Sequence, residues 1–194
     1  RFMEKYVLVK SEENKQLTSH LTEQSYIAIE ERQKVQLLCR IIDLAESFYG
    51  LVFCRTKRDV DSVAELLIQK GYQAEALHGD LSQHQRERVL GKFRKRMCNI
   101  LVVTDVASRG LDISDLSHVI NYALPQDSES YVHRIGRTGR AGKLGRAISF
   151  LSSSDRRLFY RIQQVIKLDI KKESIPSVES VLAYKKKKVC LDVE

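Results

Sequence analysis

Leu51-Val52-Phe53-Cys54-Arg55-Thr56-Lys57 opens on four consecutive apolar residues and turns cationic at the fifth. A strand with one wet face alternates apolar and polar side chains, so an unbroken apolar run of this length describes a strand covered on both faces. Ile100-Leu101-Val102-Val103-Thr104 repeats the pattern. Residues 73–77, 118–122 and 146–151 read as further strands, and 26–29 as a shorter one. Helical spacing fills the intervals, over residues 34–47, 58–70, 82–95, 128–135 and slightly beyond, and 155–167. In the second of these, Val60, Val63, Ala64, Leu66 and Leu67 mark one face and Gly71 supplies a stop. Apolar strands alternating with helices specify a parallel sheet with helices on both sides, a three-layer, doubly wound α/β domain. The strand order does not follow from the pattern.

The 194 residues suffice for one such domain with appendages. Residues 1–21 are polar and patchy and read as a linker or entering segment, 22–170 as the domain, and 171–194 as a basic tail that starts a further region. In that tail Ser177, after Pro176, is placed to cap a helix carrying Val178, Val181 and Leu182 on one side and running into Lys185-Lys186-Lys187-Lys188. A helix with so few apolar residues is marginal alone, so it is expected to dock on something absent from this chain or to continue into a missing region. A dimer contact or salt-sensitive affinity for a polyanion are the roles open to it. The chain starts at Arg1 rather than methionine, which reads as a processed chain or a piece of a longer one.

Lys and Arg number 33 against 25 Asp and Glu, a net charge of +8, which favours a polyanionic partner. No apolar run is long enough to span a membrane and no signal peptide opens the chain. Cys39, Cys54, Cys98 and Cys190 lie far apart, a spacing that excludes a zinc ribbon or a redox pair. Unpaired cysteines fit a reducing compartment, and a cytoplasmic location is expected.

In an open parallel sheet, ligands bind beyond the carboxyl ends of the strands. Three strands in succession lead there into polar, glycine-bearing or cationic loops: Arg55, Thr56, Lys57 and Arg58; then His78, Gly79 and Asp80 with Gln83 and Arg86 behind; then Asp105, Ser108, Arg109, Gly110 and Asp112. Each cluster also has a duller reading. Arg55 to Arg58 could be a solvated helix start, although cations there oppose the helix dipole and suggest a compensating anion. Asp80 could cap the next helix, Gln83 and Arg86 could brace loops, Asp105 could cap a short turn, and Arg109 with Asp112 could be a local ion pair. Their common location carries the weight.

The most specific stretch is His133-Arg134-Ile135-Gly136-Arg137-Thr138-Gly139-Arg140. On a continuous helix His133, Arg137 and Arg140 fall at i, i+4 and i+7 and share a face, with two guanidinium forks suited to clustered phosphate oxygens. Gly136 and Gly139 weaken a helix by roughly 1 kcal/mol each, so they are expected where a backbone approaches something closely.

With this octet, Leu51 to Lys57, Leu77-His78-Gly79-Asp80 with Gln83 and Arg86, and Val103-Thr104-Asp105-Val106-Ala107-Ser108-Arg109-Gly110-Leu111-Asp112-Ile113 occur in order. Together they resemble the second, C-terminal RecA-like domain of DEAD-box ATP-dependent RNA helicases, from about Thr22 to Lys167; Gln24, Tyr26 and Lys34 resemble the way into that domain. The resemblance implies a RecA-like fold of the P-loop NTPase type without its own P-loop, followed by a C-terminal helical tail. It implies that Arg137 and Arg140 are arginine fingers on the γ-phosphate, with His133 coupling domain closure to RNA. It also implies that Gly110 and Asp112 lie against the ATP ribose, and that Thr56, Gly79, Gln83, Arg86, Thr104 and Arg109 hold the RNA backbone without reading bases.

No Gly-x-x-x-x-Gly-Lys-Ser/Thr loop and no Asp-Glu-Ala-Asp run occurs in the chain. By the resemblance, the grip on ATP and the Mg2+ ligands belong to an N-terminal RecA-like partner domain, and no metal site is expected here. This chain alone is then expected to be inactive. The competing expectation is a catalytically inactive RNA-binding or scaffold module on the same fold.

Overall fold

A computed structural model of the chain describes residues 21–113, 115–140, 142–168 and 170–191. The strands are β1 Thr22–Ala28, β2 Gly50–Phe53, β3 Ala74–Leu77, β4 Ile100–Val103, β5 His118–Asn121, β6 Gly145–Leu151 and β7 Lys171–Lys172. The helices are α1 Lys34–Leu44, α2 Lys57–Gln69, α3 Gln83–Arg94, α4 Asp105–Ser108, α5 Ser128–Ile135, α6 Arg156–Ile166 and α7 Val178–Leu191. The strands form one sheet in the order β3-β4-β2-β5-β6-β1-β7. Every pairing is parallel. All their carboxyl ends therefore open on the same edge.

Every residue of β2, β4 and β5 is buried, as the unbroken apolar character of β2 and β4 requires; β5 buries the polar His118 and Asn121 with Val119 and Ile120. Alternate side chains of one strand feed opposite layers. Val52, Ile120, Ile148 and Phe150 pack with α1 and α2 on one face. Leu51, Phe53, Leu101, Val103 and Val119 pack with α3 on the other. On that second side, Ala147 and Leu151 of β6 meet Tyr131 and Ile135 of α5 and Phe159, Ile162 and Ile166 of α6.

Two elements go beyond the sequence reading. β1 starts four residues before 26 and pairs with β6 from Thr22 opposite Gly145 to Ala28 opposite Leu151. Its buried polar residues hid it: Thr22 Oγ1, for instance, donates to the Thr138 carbonyl at 3.2 Å. The two-residue β7 pairs with β1 at the sheet edge, through two lysines with no apolar signal.

Ser177 does cap the tail helix, accepting from the Ser180 amide at 3.1 Å. α7 then docks within the chain, on α1. Val181 is buried, Lys185 pairs with Asp43 at 2.8 Å, and Lys188 donates to the Glu46 carbonyl at 3.1 Å. Arg40 of α1 meanwhile donates to the Pro176 carbonyl at 2.9 Å. Part of the lysine run is thus spent on holding α7 to the domain. Apart from Leu21, the 1–21 linker lies outside the described residues.

Candidate functional site

The loop after β4 and the end of α5 meet across a cleft of about 480 Å³ that includes Asp105, Ser108, Arg109, Gly110, His133, Arg134 and Arg137 in its lining. Thr104 caps α4, its Oγ1 accepting from the Ala107 amide at 3.4 Å, which leaves the Asp105 carboxylate free for another task. That task is Arg134. Its Nε and Nη2 donate to the two Asp105 oxygens at 2.6 and 2.7 Å, while Nη1 donates to Asn121 Oδ1 at 2.9 Å and the Ala123 carbonyl at 2.7 Å. The guanidinium also lies 4.7 Å from the Phe53 ring centre. Arg134 is only 3% exposed, and a buried guanidinium is tolerable only with its donors met by a carboxylate and carbonyls.

The octet is not one helix. α5 ends at Ile135 and Gly136 forms its C-cap. Thr138 then enters an isolated parallel bridge with Leu116, and its hydroxyl donates to the Leu116 carbonyl. Gly139 has φ +67°, and a Cβ there would strike Thr22 and the Leu21 backbone. The close approach expected of the glycines is thus real at Gly139, where it is made to β1. His133, Arg137 and Arg140 consequently do not share a helix face.

Arg137 instead turns back over the loop behind α4, donating to the Leu111 carbonyl at 2.5 Å and the Ser108 carbonyl at 3.4 Å. It has no carboxylate in direct contact among the described residues. Burial first, and the like charge of Arg140 second, push its pKa down, with Asp112 opposing them. This cation is held where an added anion would relieve it. Arg140 and His133 are exposed, as are Arg109, Gly110 and Asp112. Gly110 has φ +70°, with nothing within 4 Å of where a Cβ would stand, so a ligand can come close to its backbone. The Arg109–Asp112 ion pair, the duller reading of those two charges, does not form among the described residues. Asp127, on the far side of the cleft, caps α5 by accepting from the Ser130 amide at 2.7 Å, and that bond holds its carboxyl below the usual range.

The other singled-out residues stand along the same sheet edge, outside this cleft. Thr56 caps α2 in a reciprocal box with Asp59. Lys57 pairs with Asp80, so the cations at that helix start are offset by Asp80 and Asp59. Asp80 caps nothing: Ser82, boxed with Gln85, caps α3. Gly79 is exposed, and Gln83 donates to Glu87 at 2.8 Å. Arg86 braces a neighbouring loop, donating to the Ala107 carbonyl at 2.5 Å and so tying α3 to α4.

Sequence reading missed the Arg134–Asp105 pair. The signal was present: Tyr131, Arg134 and Ile135 share the buried face of α5, and an arginine on such a face requires an acidic partner.

An all-parallel sheet with cationic and glycine-bearing loops at its carboxyl edge and no phosphate loop of its own fits the RecA-like half that the sequence motifs resemble. The family model described as "Helicase conserved C-terminal domain" matches residues 33–142. The DEAD-box ATP-dependent RNA helicase CshA of Geobacillus kaustophilus is 45% identical over 182 residues, 94% of this chain and 39% of that protein. The solved C-terminal domain of the DEAD-box protein Dbp5 is similar with a TM-score of 0.76 and 30% identity, over 86% of this chain and 98% of that one. Dbp5 of S. cerevisiae bound to RNA and ADP BeF3 is similar with a TM-score of 0.79 and 30% identity, over 90% of this chain and 48% of that one. The chain belongs to the DEAD-box RNA helicases, as their C-terminal RecA-like domain. It spans about two fifths of the length of the curated relative.

Proposed function

We propose that this chain is the second half of an ATP-dependent RNA helicase, completing an ATPase site whose other half lies in an N-terminal RecA-like domain. The observation that carries this reading is the contrast between two arginines three residues apart. Arg134 is fully committed to Asp105, whereas Arg137 touches only backbone carbonyls beside an open cleft.

ATP is the substrate that suits this cleft. A γ-phosphate presented by the partner domain would take the Arg137 and Arg140 guanidiniums, which stabilise negative charge as the phosphoryl group leaves. Gly110, open on its Cβ side, and Asp112, an exposed carboxylate able to accept from sugar hydroxyls, suit the ribose. His133, exposed on the last turn of α5, is placed to meet the partner domain. Mg2+ bound with ATP supplies charge neutralisation between phosphates. No three His, Cys, Asp or Glu side chains converge among the described residues, and we assign the metal ligands to the partner domain.

RNA suits the edge above β3, β4 and β2. There the exposed Thr56 and Gly79, with Gln83 and Arg109, present a hydroxyl, open backbone, an amide and a cation, groups that grip a sugar-phosphate strand without reading bases. Thr104 and Arg86 act from behind: one caps α4 and the other braces it. The Arg134–Asp105 pair ties α5 to the loop bearing Arg109, so a strand held by that loop and the fingers on ATP move as one piece. The cytoplasm is the compartment that suits three unpaired cysteines and an RNA substrate.

The test is ATP turnover, with and without single- and double-stranded RNA, for the chain alone and for the chain joined to its P-loop-bearing domain. The expected result is silence alone and RNA-stimulated turnover when joined. In the joined protein, Arg137→Lys should cut turnover by about a thousandfold with ATP binding nearly intact, because a point charge cannot copy a planar fork. Silence in both forms, with RNA still bound, would make the chain a binding or scaffold module instead.

A further inference from the structure

A second cleft, about 970 Å³, opens at the other end of the same sheet edge, beyond the carboxyl ends of β1 and β6 and beside β7. Arg156, Tyr160 and Gln163 of α6 line it, with Lys172 of β7 and the exposed Ser153 and Ser154 of the turn after β6. Tyr160 is 62% exposed, the one large aromatic so exposed among the described residues. Neither Arg156 nor Lys172 has an acidic partner among the described residues. α6 carries Arg156, Arg157 and Arg161 and no acidic residue at all. The cleft does contain two glutamates, but both are spent: Glu30 takes Arg32 at 2.8 Å and Glu31 takes Lys34 at 2.7 Å. The uncompensated charge is positive.

The cleft is also continuous with the edge assigned above to RNA. Arg55 lies next to Thr56 in sequence and reaches Asp155 at 3.6 Å, and Asp155 directly precedes Arg156. A strand leaving Thr56 would pass Arg55 and reach Arg156 over Asp155, whose side chain is only 7% exposed and faces Arg55.

Cations tracking a backbone, beside an exposed aromatic face, form the pattern by which proteins hold single-stranded nucleic acid independently of sequence. An acidic peptide would use the cations but would leave the tyrosine ring with no role. We propose that this cleft is a second RNA subsite, with Tyr160 stacking on a base and Arg156 and Lys172 meeting phosphates of a single strand that extends past Thr56. The proposal rests on the reading of the β3-β4-β2 edge as an RNA surface.

The test is fluorescence anisotropy of the chain with labelled oligouridylates of about six and about fifteen nucleotides, long enough to fill one subsite or both. The longer RNA should bind more tightly. Tyr160→Ala should weaken the longer by about tenfold and the shorter hardly at all, with Tyr160→Phe restoring it, because one base stacked on an aromatic ring is worth that much. Removing both Arg156 and Lys172 should flatten the salt dependence of the longer RNA by about 1.4 in log–log slope, the release expected for two single-strand phosphates. Polyglutamate binding should ignore Tyr160→Ala.

Tight binding of the longer RNA that is indifferent to Tyr160 would overturn the subsite and leave the edge reading standing. Equal losses for RNA and polyglutamate would reassign the cleft to acidic protein segments and overturn the proposal. An unmodified chain that binds neither oligouridylate would sink the edge reading along with it.

Discussion

Arg134 and Arg137 have the same side chain and opposite fates, and the difference lies in what each can reach. Arg134 points from the buried face of α5 at a carboxylate, an amide oxygen and a carbonyl that use its guanidinium from every side. Arg137 leaves from the turn after the helix and finds only carbonyls. The first is therefore a structural cation and the second an available one. Arg134→Lys tests the division, because an ammonium cannot bridge both Asp105 oxygens and still reach Asn121. It should cost about 2 kcal/mol, lowering the melting temperature by about 4–8 °C in a domain of this size. Thermal unfolding of the isolated chain reads this directly, and an unchanged melting temperature would show that the pair is ornamental. Arg137→Lys should leave the melting temperature nearly unmoved. The residue types of the site were legible in the sequence, because arginines and glycines crowd the strand ends. Their partners were not, since Asp105 and Arg134 are 29 positions apart and only the sheet brings them together.

At the scale of elements, the central strands were the most legible, because β2 and β4 are apolar at every position and admit no other reading. Elements stabilised by polar burial were less so: β1 hides Thr22 and Ser25 behind a polar sequence, and β7 is two lysines. The end of α5 misled for a related reason. Its helical spacing continues through Arg140 on paper, but Gly139 sits in a left-handed conformation against β1 and Thr138 pairs with Leu116, so the chain leaves the helix at Gly136. The tail shows the opposite lesson, that a helix with little apolar surface can be held by a few contacts. Val181 is the buried anchor of α7, while Val178 and Leu182 are exposed. Val181→Asp should release α7 without unfolding the sheet, since a charge cannot be buried against α1 at an acceptable cost. Hydrogen exchange should then quicken across α7 and the facing side of α1 while β2 and β4 stay protected. Unaltered exchange in α7 would mean that the ion pair with Asp43 and the carbonyl contact of Lys188 hold the helix by themselves.

For the whole molecule, one buried histidine couples stability to pH. His118 starts β5 in the middle of the sheet, 7% exposed, stacked on Phe48 at 4.8 Å and within 2.8 Å of Ser117 Oγ. Burial, aided by the positive charge of Arg146, depresses its pKa from 6.5 to about 4. In the folded chain the ring thus stays neutral at pH values where the unfolded chain would protonate it. Between pH 6.5 and about 4 the unfolded state holds a proton here that the fold refuses, so stability must fall as pH drops through that window. From pH 7 to pH 5 the loss from this one group should be about 2 kcal/mol, over a range in which most carboxylates remain ionised. Urea midpoints of the isolated chain at the two pH values measure it. His118→Gln, which cannot titrate, should remove most of the slope even if it lowers stability at pH 7. Because β5 lies between β2 and β6 and all three share one hydrogen-bonded sheet, the effect should appear as a single cooperative transition and not as local fraying. A slope that survives in His118→Gln would move the pH sensitivity to other groups, and would mean that the centre of the sheet tolerates a charge its packing argues against.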